Sequence, residues 1–269
     1  MIKCGILNGY VEDPEKEKRC AEYIWTTDKA DFWGDYLSNL KTEDGRRKYD
    51  IKEIMACEIS NKFAMILNPF GETYPEYSLD RREVYNIIRN YIRNGGVFVN
   101  TAGFPFFYAW IVSLGRKEPI SEEKLLLPRQ IKIQGGTFSV EQLHMLINFT
   151  GTLYYKDFGA VTTFDTSIHS GAVPLKPFQT DQDKEKFGDL VSGLNEITEF
   201  RALKEGISDC IPIVRAIREE FGEVYPISAL KHGRGFLLVA AMGMSNESEC
   251  SLFARSIDKF CDWISSKYT

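Results

Sequence analysis

The sequence predicts an α/β protein built on a mostly parallel sheet with helices on both faces. Three observations carry this: a strand–helix–strand pattern at Phe63–Tyr108, short apolar runs that stop at Gly/Asn/Pro turns, and an amphipathic C-terminal helix. The apolar run Phe63–Leu67 has the length and composition of a strand buried on both faces. Asn68-Pro69-Phe70-Gly71 ends it. Asp80 and Glu83 have capping-box spacing for the next helix. In that helix Val84, Ile87, Ile88, Tyr91 and Ile92 fall on one face. Gly95-Gly96 supplies a C-terminal stop. Val97–Val99 is a second buried strand, and Thr101-Ala102-Gly103-Phe104-Pro105 breaks it. Two such strands joined by a helix predict a parallel βαβ unit.

The remaining elements follow in order. Ile2–Leu7 reads as a buried strand ending at the Asn8-Gly9 turn. Glu12–Arg19 is densely charged, a solvated segment. Asp31–Leu40 has Phe32, Tyr36, Leu37 and Leu40 at helical spacing, and Tyr49–Met55 reads as an edge strand. The apolar segment Phe106–Leu114 predicts a helix, followed by a charged connection over Arg116–Glu123. Val140–Phe149 has helical spacing within a region whose periodicity is weak. Ile211–Ile217 and Val224–Leu230 predict a hairpin around Glu219–Gly222. Lys231–Gly235 is a turn before the strand Phe236–Ala241. A last helix near Glu247–Ser266 carries Phe253, Ile257, Phe260, Cys261 and Ile264 on one face. Residues 1–269 are expected to form one α/β domain with an insertion at about 116–205.

The chain has 269 residues, 43% hydrophobic and 26% charged, enough to bury a substantial core. A net charge of −5 and a pI near 5.4 argue against a nucleic-acid interface. The opening MIKCGILNGYVEDPE lacks the long apolar core of a signal peptide. The apolar run Ala102–Leu114 contains Pro105 and is too short to span a bilayer. A cytoplasmic location with no membrane association is the expectation. The six cysteines show no CxxC spacing, so free thiols are expected. The three histidines have no local metal-ligand spacing, and neither GxGxxG nor a P-loop occurs. No metal and no cofactor are expected.

The segments KFAMILNPFGETYP and YIRNGGVFVNTAGFP, with the closing PIVRAIREEFGEVYPISALKHGRGFLLVAAM and terminal helix, resemble the class I glutamine amidotransferase-like superfamily. The likeness is to its trehalose-utilisation-type and β-galactosidase middle-domain-like branch, and it implies a flavodoxin-like fold. It covers roughly Ile2–Phe107 and Ile211–Lys267. Catalytic members carry a Gly-x-Cys-x-Gly elbow beside an oxyanion hole. Aligning Gly103 with the second glycine places Val99 at the first and Thr101 at the cysteine. None of His144, His169 or His232 begins a His-x-Glu motif. Glutamine amidotransferase activity is therefore not expected.

In open α/β sheets, ligands sit beyond the carboxyl ends of the strands. That rule selects Asn68, Gly71, Glu72 and Thr73 after one strand, and Asn100, Thr101, Ala102, Gly103 and Phe104 after the next. The same residue types also serve as turn and cap formers. Glu72 as acid or base, Thr101 as nucleophile and His232 as base are the secondary catalytic candidates. Arg215, Arg218 and Arg234 are candidates for holding a phosphate or carboxylate, and cross-strand charge pairing explains them equally well. The leading functional reading is a catalytically degenerate amidotransferase-like domain that binds a small polar ligand or a partner at this crevice. A hydrolase or lyase acting on a sugar-like or amide substrate is the second reading. A structural or oligomerisation domain, with self-association as a homo-oligomer, is the third.

Overall fold

A computed structural model describes residues 1–8, 27–71, 82–103, 105, 108–111, 116–119, 173–199, 202–204, 209–244 and 246–268. Described elements are β1 (Ile2–Leu7), α1 (Thr27–Ser38), β2 (Tyr49–Ile54), β3 (Met65–Asn68), α2 (Arg82–Arg93) and β4 (Val97–Asn100). Next come β5 (Tyr108–Ile111), β6 (Arg116–Pro119), β7 (Val173–Leu175), α3 (Asp181–Phe187), β8 (Ile197–Glu199) and β9 (Leu203–Lys204). The chain closes with β10 (Cys210–Arg218), β11 (Gly222–His232), β12 (Gly235–Ala240) and α4 (Glu247–Tyr268).

The main sheet runs β10-β11-β12-β4-β3-β1-β2, with β9 paired to β11. Strands β2, β1, β3, β4 and β12 are mutually parallel, while β10, β11 and β12 form an antiparallel meander. The chain passes from β1 to β2 on one side and then returns to β3 on the other, the reversal that defines a flavodoxin-like doubly wound sheet. The predicted βαβ unit and C-terminal hairpin are both present.

One face of the sheet holds the larger core. Met65, Leu67, Val97, Val99, Phe236 and Leu238 meet Trp33 and Leu37 of α1, Phe187 of α3 and Phe253, Ile257 and Phe260 of α4. Ile66, Phe98 and Leu237 alternate with these and are also fully buried. The helix α2 packs against β4 and β12, with Ile88 and Ile92 fully buried. Helices thus cover both faces. Lys48 ties α4 to the start of β2 by ion pairs to Asp258 (2.7 Å) and Asp262 (2.6 Å), and the Tyr49 hydroxyl donates to Asp258 (3.0 Å).

Two expectations are corrected. Tyr108–Ile111 is not helical but pairs antiparallel with Arg116–Pro119, so the charged connection begins as a strand. Its aromatic and β-branched residues favour the extended backbone. In α1 and just beyond it, Leu37 is buried and Tyr36 and Leu40 pack against the core as expected, but Phe32 is 45% exposed and Trp33 is buried in its stead. Within the expected insertion, α3 is a capped helix: the Thr180 hydroxyl accepts from Asp183 N–H (3.2 Å) and Asp183 accepts from Thr180 N–H (3.0 Å). Arg215 on β10 pairs with Asp183 (2.6 Å) and Glu223, fixing α3 to the sheet. Val140–Phe149 lies outside the described residues.

Candidate functional site

The carboxyl ends of β3 and β4 lie side by side, with Asn68 opposite Asn100 in register. Strand alternation sends these two side chains to the same face of the sheet. Both are fully buried. Asn68 Nδ2 donates to Asn100 Oδ1 (2.9 Å), and Asn68 Oδ1 accepts from the N–H of Phe70 (3.3 Å). Asn100 Nδ2 donates to the carbonyl of Ala102 (3.2 Å), while the N–H of Thr101 donates to the carbonyl of Asn68 (3.3 Å). One amide pair therefore shapes both loops, satisfying backbone groups that the ends of the strands leave open.

The two loops also touch. Gly71 has φ +60°, and a Cβ placed there would lie 3.2 Å from Ala102 Cβ and 3.3 Å from its carbonyl oxygen. A side chain at this position would combine backbone strain with crowding. Phe70, in the turn after β3, is 2% exposed. Its signal in the sequence was the aromatic residue inside the Asn-Pro-Phe-Gly turn. Thr101 is 2% exposed, and Gly103 is buried with φ +62°. Glu72, Thr73 and Phe104 lie outside the described residues.

His232 is not brought to this site. It ends β11, paired with Gly235 at the start of β12, which places it at the amino ends of the parallel strands. Asn100 is level with Val239 on β12, four residues further along, so about 13 Å of strand separates the two edges. His144 and His169 lie outside the described residues.

The three arginines raised as anion binders have protein partners. Arg218 is almost fully buried and pairs with Glu199 (2.5 Å) and Glu220 (3.3 Å). Arg215 is held by Asp183 and Glu223, and Arg234 donates to the carbonyl of Asn94 (3.3 Å). Glu199, which also accepts from Ala202 N–H (2.7 Å), was not singled out from the sequence; it sits in a stretch with little periodicity.

Burial pushes the thiols of Cys210 and Cys261 up to about 12, and those of Cys4 and Cys250 upward as well. A thiol held protonated in this way is a poor nucleophile. Among the described residues no group of three or more His, Cys, Asp or Glu is arranged to hold a metal ion, and no helix is long and apolar enough to cross a membrane. An open groove of about 390 Å³, lined by Lys3, Asp50, Ile51, Lys52, Lys62 and Phe63, lies elsewhere, along β1 and β2.

No protein-family model and no curated protein matches the chain. Among solved structures it is similar to a β-galactosidase from Bacillus circulans sp. alkalophilus, with a TM-score of 0.51 and 12% identity over 97% of this chain and 31% of that one. A β-galactosidase from Rahnella sp. R3 gives a TM-score of 0.53 and 10% identity, over 97% of this chain and 31% of that one. A ThuA-like protein from Bacteroides uniformis gives a TM-score of 0.46 and 11% identity, over 99% of this chain and 92% of that one. The chain thus spans about a third of the length of the β-galactosidases it matches. The molecule is a flavodoxin-like α/β domain. At these identities the likeness establishes that fold and nothing further.

Proposed function

We propose that this chain is an amidotransferase-like domain without the cysteine nucleophile, one that binds a small polar ligand or a partner at the loops after β3 and β4. The observation that carries the reading is the Asn68–Asn100 pair at the carboxyl ends of adjacent parallel strands, 2.9 Å apart. This is where open α/β sheets present ligand-binding loops. Thr101 occupies the position that catalytic members of the resembling superfamily give to cysteine, and it is 2% exposed. Backbone N–H groups near Ala102 and Gly103 are suited to an anionic or carbonyl oxygen.

A structural role is the second reading. It is favoured by the complete burial of both asparagines, which bond to each other and to their own loops. A hydrolase working through Glu72, Thr101 and a histidine receives no support from His232, which lies at the far edge of the sheet.

Crystals soaked in acetate, phosphate and galactose discriminate the first two readings, together with thermal shifts of wild type and Gly103→Val. Density beside Ala102 and Gly103, with a melting shift abolished by Gly103→Val, is the expected result. Ligands bound only elsewhere would leave the structural role. Incubation with glutamine should release no ammonia; turnover abolished by alkylating one cysteine would overturn the reading altogether.

A further inference from the structure

The edge strand β2 carries a self-complementary pattern that the ligand-binding reading does not use. Among the described residues β2 pairs with β1 alone. The opposite edge is different: Phe178 lies against β10 through a bridge to Arg215. The N–H of Ile2 donates to the carbonyl of Lys48 (2.8 Å), and that of Asn8 to the carbonyl of Ile54 (2.9 Å). In a parallel ladder the residues facing the neighbour recur every second position. The carbonyl of Lys48 and the backbone groups of Asp50, Lys52 and Ile54 are therefore directed to β1, while the N–H of Lys48 donates to the carbonyl of Leu40 (3.3 Å). Tyr49, Ile51 and Glu53 direct theirs outward, away from the sheet.

The side chains add a second, independent observation. Asp50 and Lys52 flank Ile51, lie on one face of the strand and are exposed. Asp50 has no ion-pair partner among the described residues. Lys52 pairs with Glu58 at 3.2 Å, with the two side chains 60% and 37% exposed. A pair so open to solvent is readily exchanged.

We propose that β2 is a homodimer edge, joining two copies antiparallel about a two-fold axis through Ile51. In that register Ile51 exchanges both backbone hydrogen bonds with its counterpart, because its groups already point outward. Tyr49 does the same with Glu53 of the second copy. Asp50 then falls opposite Lys52 of the second copy, and Lys52 opposite Asp50, at the closely spaced positions of the antiparallel ladder. Opposite charges directly across strands stabilise a pairing, and like charges oppose it. Charge on an edge strand ordinarily prevents self-association; here its order, acid then base around an outward-facing residue, favours it. A six-residue strand is about 20 Å long, so the contact is small and association depends on protein concentration.

Sedimentation equilibrium and light scattering on the full chain test this. The expected result is a monomer–dimer equilibrium that Lys52→Asp and Asp50→Lys each weaken by about tenfold or more. The double variant Asp50→Lys/Lys52→Asp reverses both pairs and should restore the wild-type constant. A wild type that stays monomeric at all concentrations would overturn the proposal. So would a dimer indifferent to both single changes, or a double variant no better than either. Should a single variant unfold, hydrogen exchange of the wild type decides: protection of the Ile51 and Glu53 amides must rise with protein concentration.

Discussion

A Cβ built on Gly235 would lie 2.2 Å from the carbonyl oxygen of Ile92 and 2.3 Å from that of Gly96. The end of α2 and the β11–β12 turn are therefore in backbone contact. The N–H of Arg234 donates to the carbonyl of Arg93 (3.1 Å), one of the acceptors that a helix C-terminus leaves unpaired, and the N–H of Phe236 donates to that of Gly96 (3.1 Å). The Gly-Gly and Gly-Arg-Gly segments, 140 residues apart, are two halves of one packing junction.

Gly235→Ala should consequently destabilise by about 3 kcal/mol or more, because backbone rather than a flexible side chain must yield. Gly45→Ala is the control: Gly45 has φ +79° but nothing within 4 Å of a Cβ. It should cost only about 1–2 kcal/mol of left-handed strain. Urea denaturation of the two variants checks the order; equal losses would contradict the junction.

The amide pair between β3 and β4 should show as coupling. Asn100→Ala removes the acceptor for Asn68 Nδ2 and the donor to Ala102, leaving buried polar groups short of a partner, at a cost of about 1–3 kcal/mol. A double-mutant cycle with Asn68→Ala should give an interaction of at least about 0.5 kcal/mol. Additive losses would mean that the two loops are shaped separately.

Acid sensitivity is expected at α3. Burial alone would raise the Asp183 carboxyl, but the hydrogen bonds from Arg215 and Thr180 outweigh it and hold the group below its ordinary value. The folded pKa is thus lower than the unfolded one. The ionised group's contribution is complete above about pH 4 and is lost as pH falls through the folded value. In stability measured against pH, Asp183→Asn should lower the neutral plateau and flatten the limb below about pH 4. An unchanged acid limb would place the titrating group elsewhere.

The register of α2 gives a plainer test. Ile88→Ala, at a fully buried site, should cost about 2–5 kcal/mol. Asn90→Ala, on the exposed side, should stay within about 0.5 kcal/mol. Chemical denaturation of both variants reads the difference directly.

The periodicity of α2 and the apolar runs at β1, β3, β4 and β12 were legible because each is fixed by neighbours a few residues away. Local signals misjudged Tyr108–Ile111, since a short apolar run cannot be assigned to helix or strand by periodicity alone. They placed Tyr36 and Leu37 of α1, and Leu40 just beyond it, on the covered face but put Phe32 there in place of Trp33, because which edge of a broad aromatic stripe is covered depends on where α4 packs.

For the candidate site, the sequence supplied Asn68 and Asn100 as strand-end residues, and the strand-end rule brought them to one edge. That they bond to each other required β3 and β4 to be adjacent and in register across 32 residues. The separation of His232 from Asn100, the satisfaction of Arg218 by Glu199 and the contact of Gly235 with Ile92 likewise had no local signature. What the sequence determined by itself was the set of elements and their turns, because hydrophobic spacing and glycine placement act within one segment. Only the tertiary structure decided which polar groups satisfy one another, because that depends on strand order and register across the whole sheet.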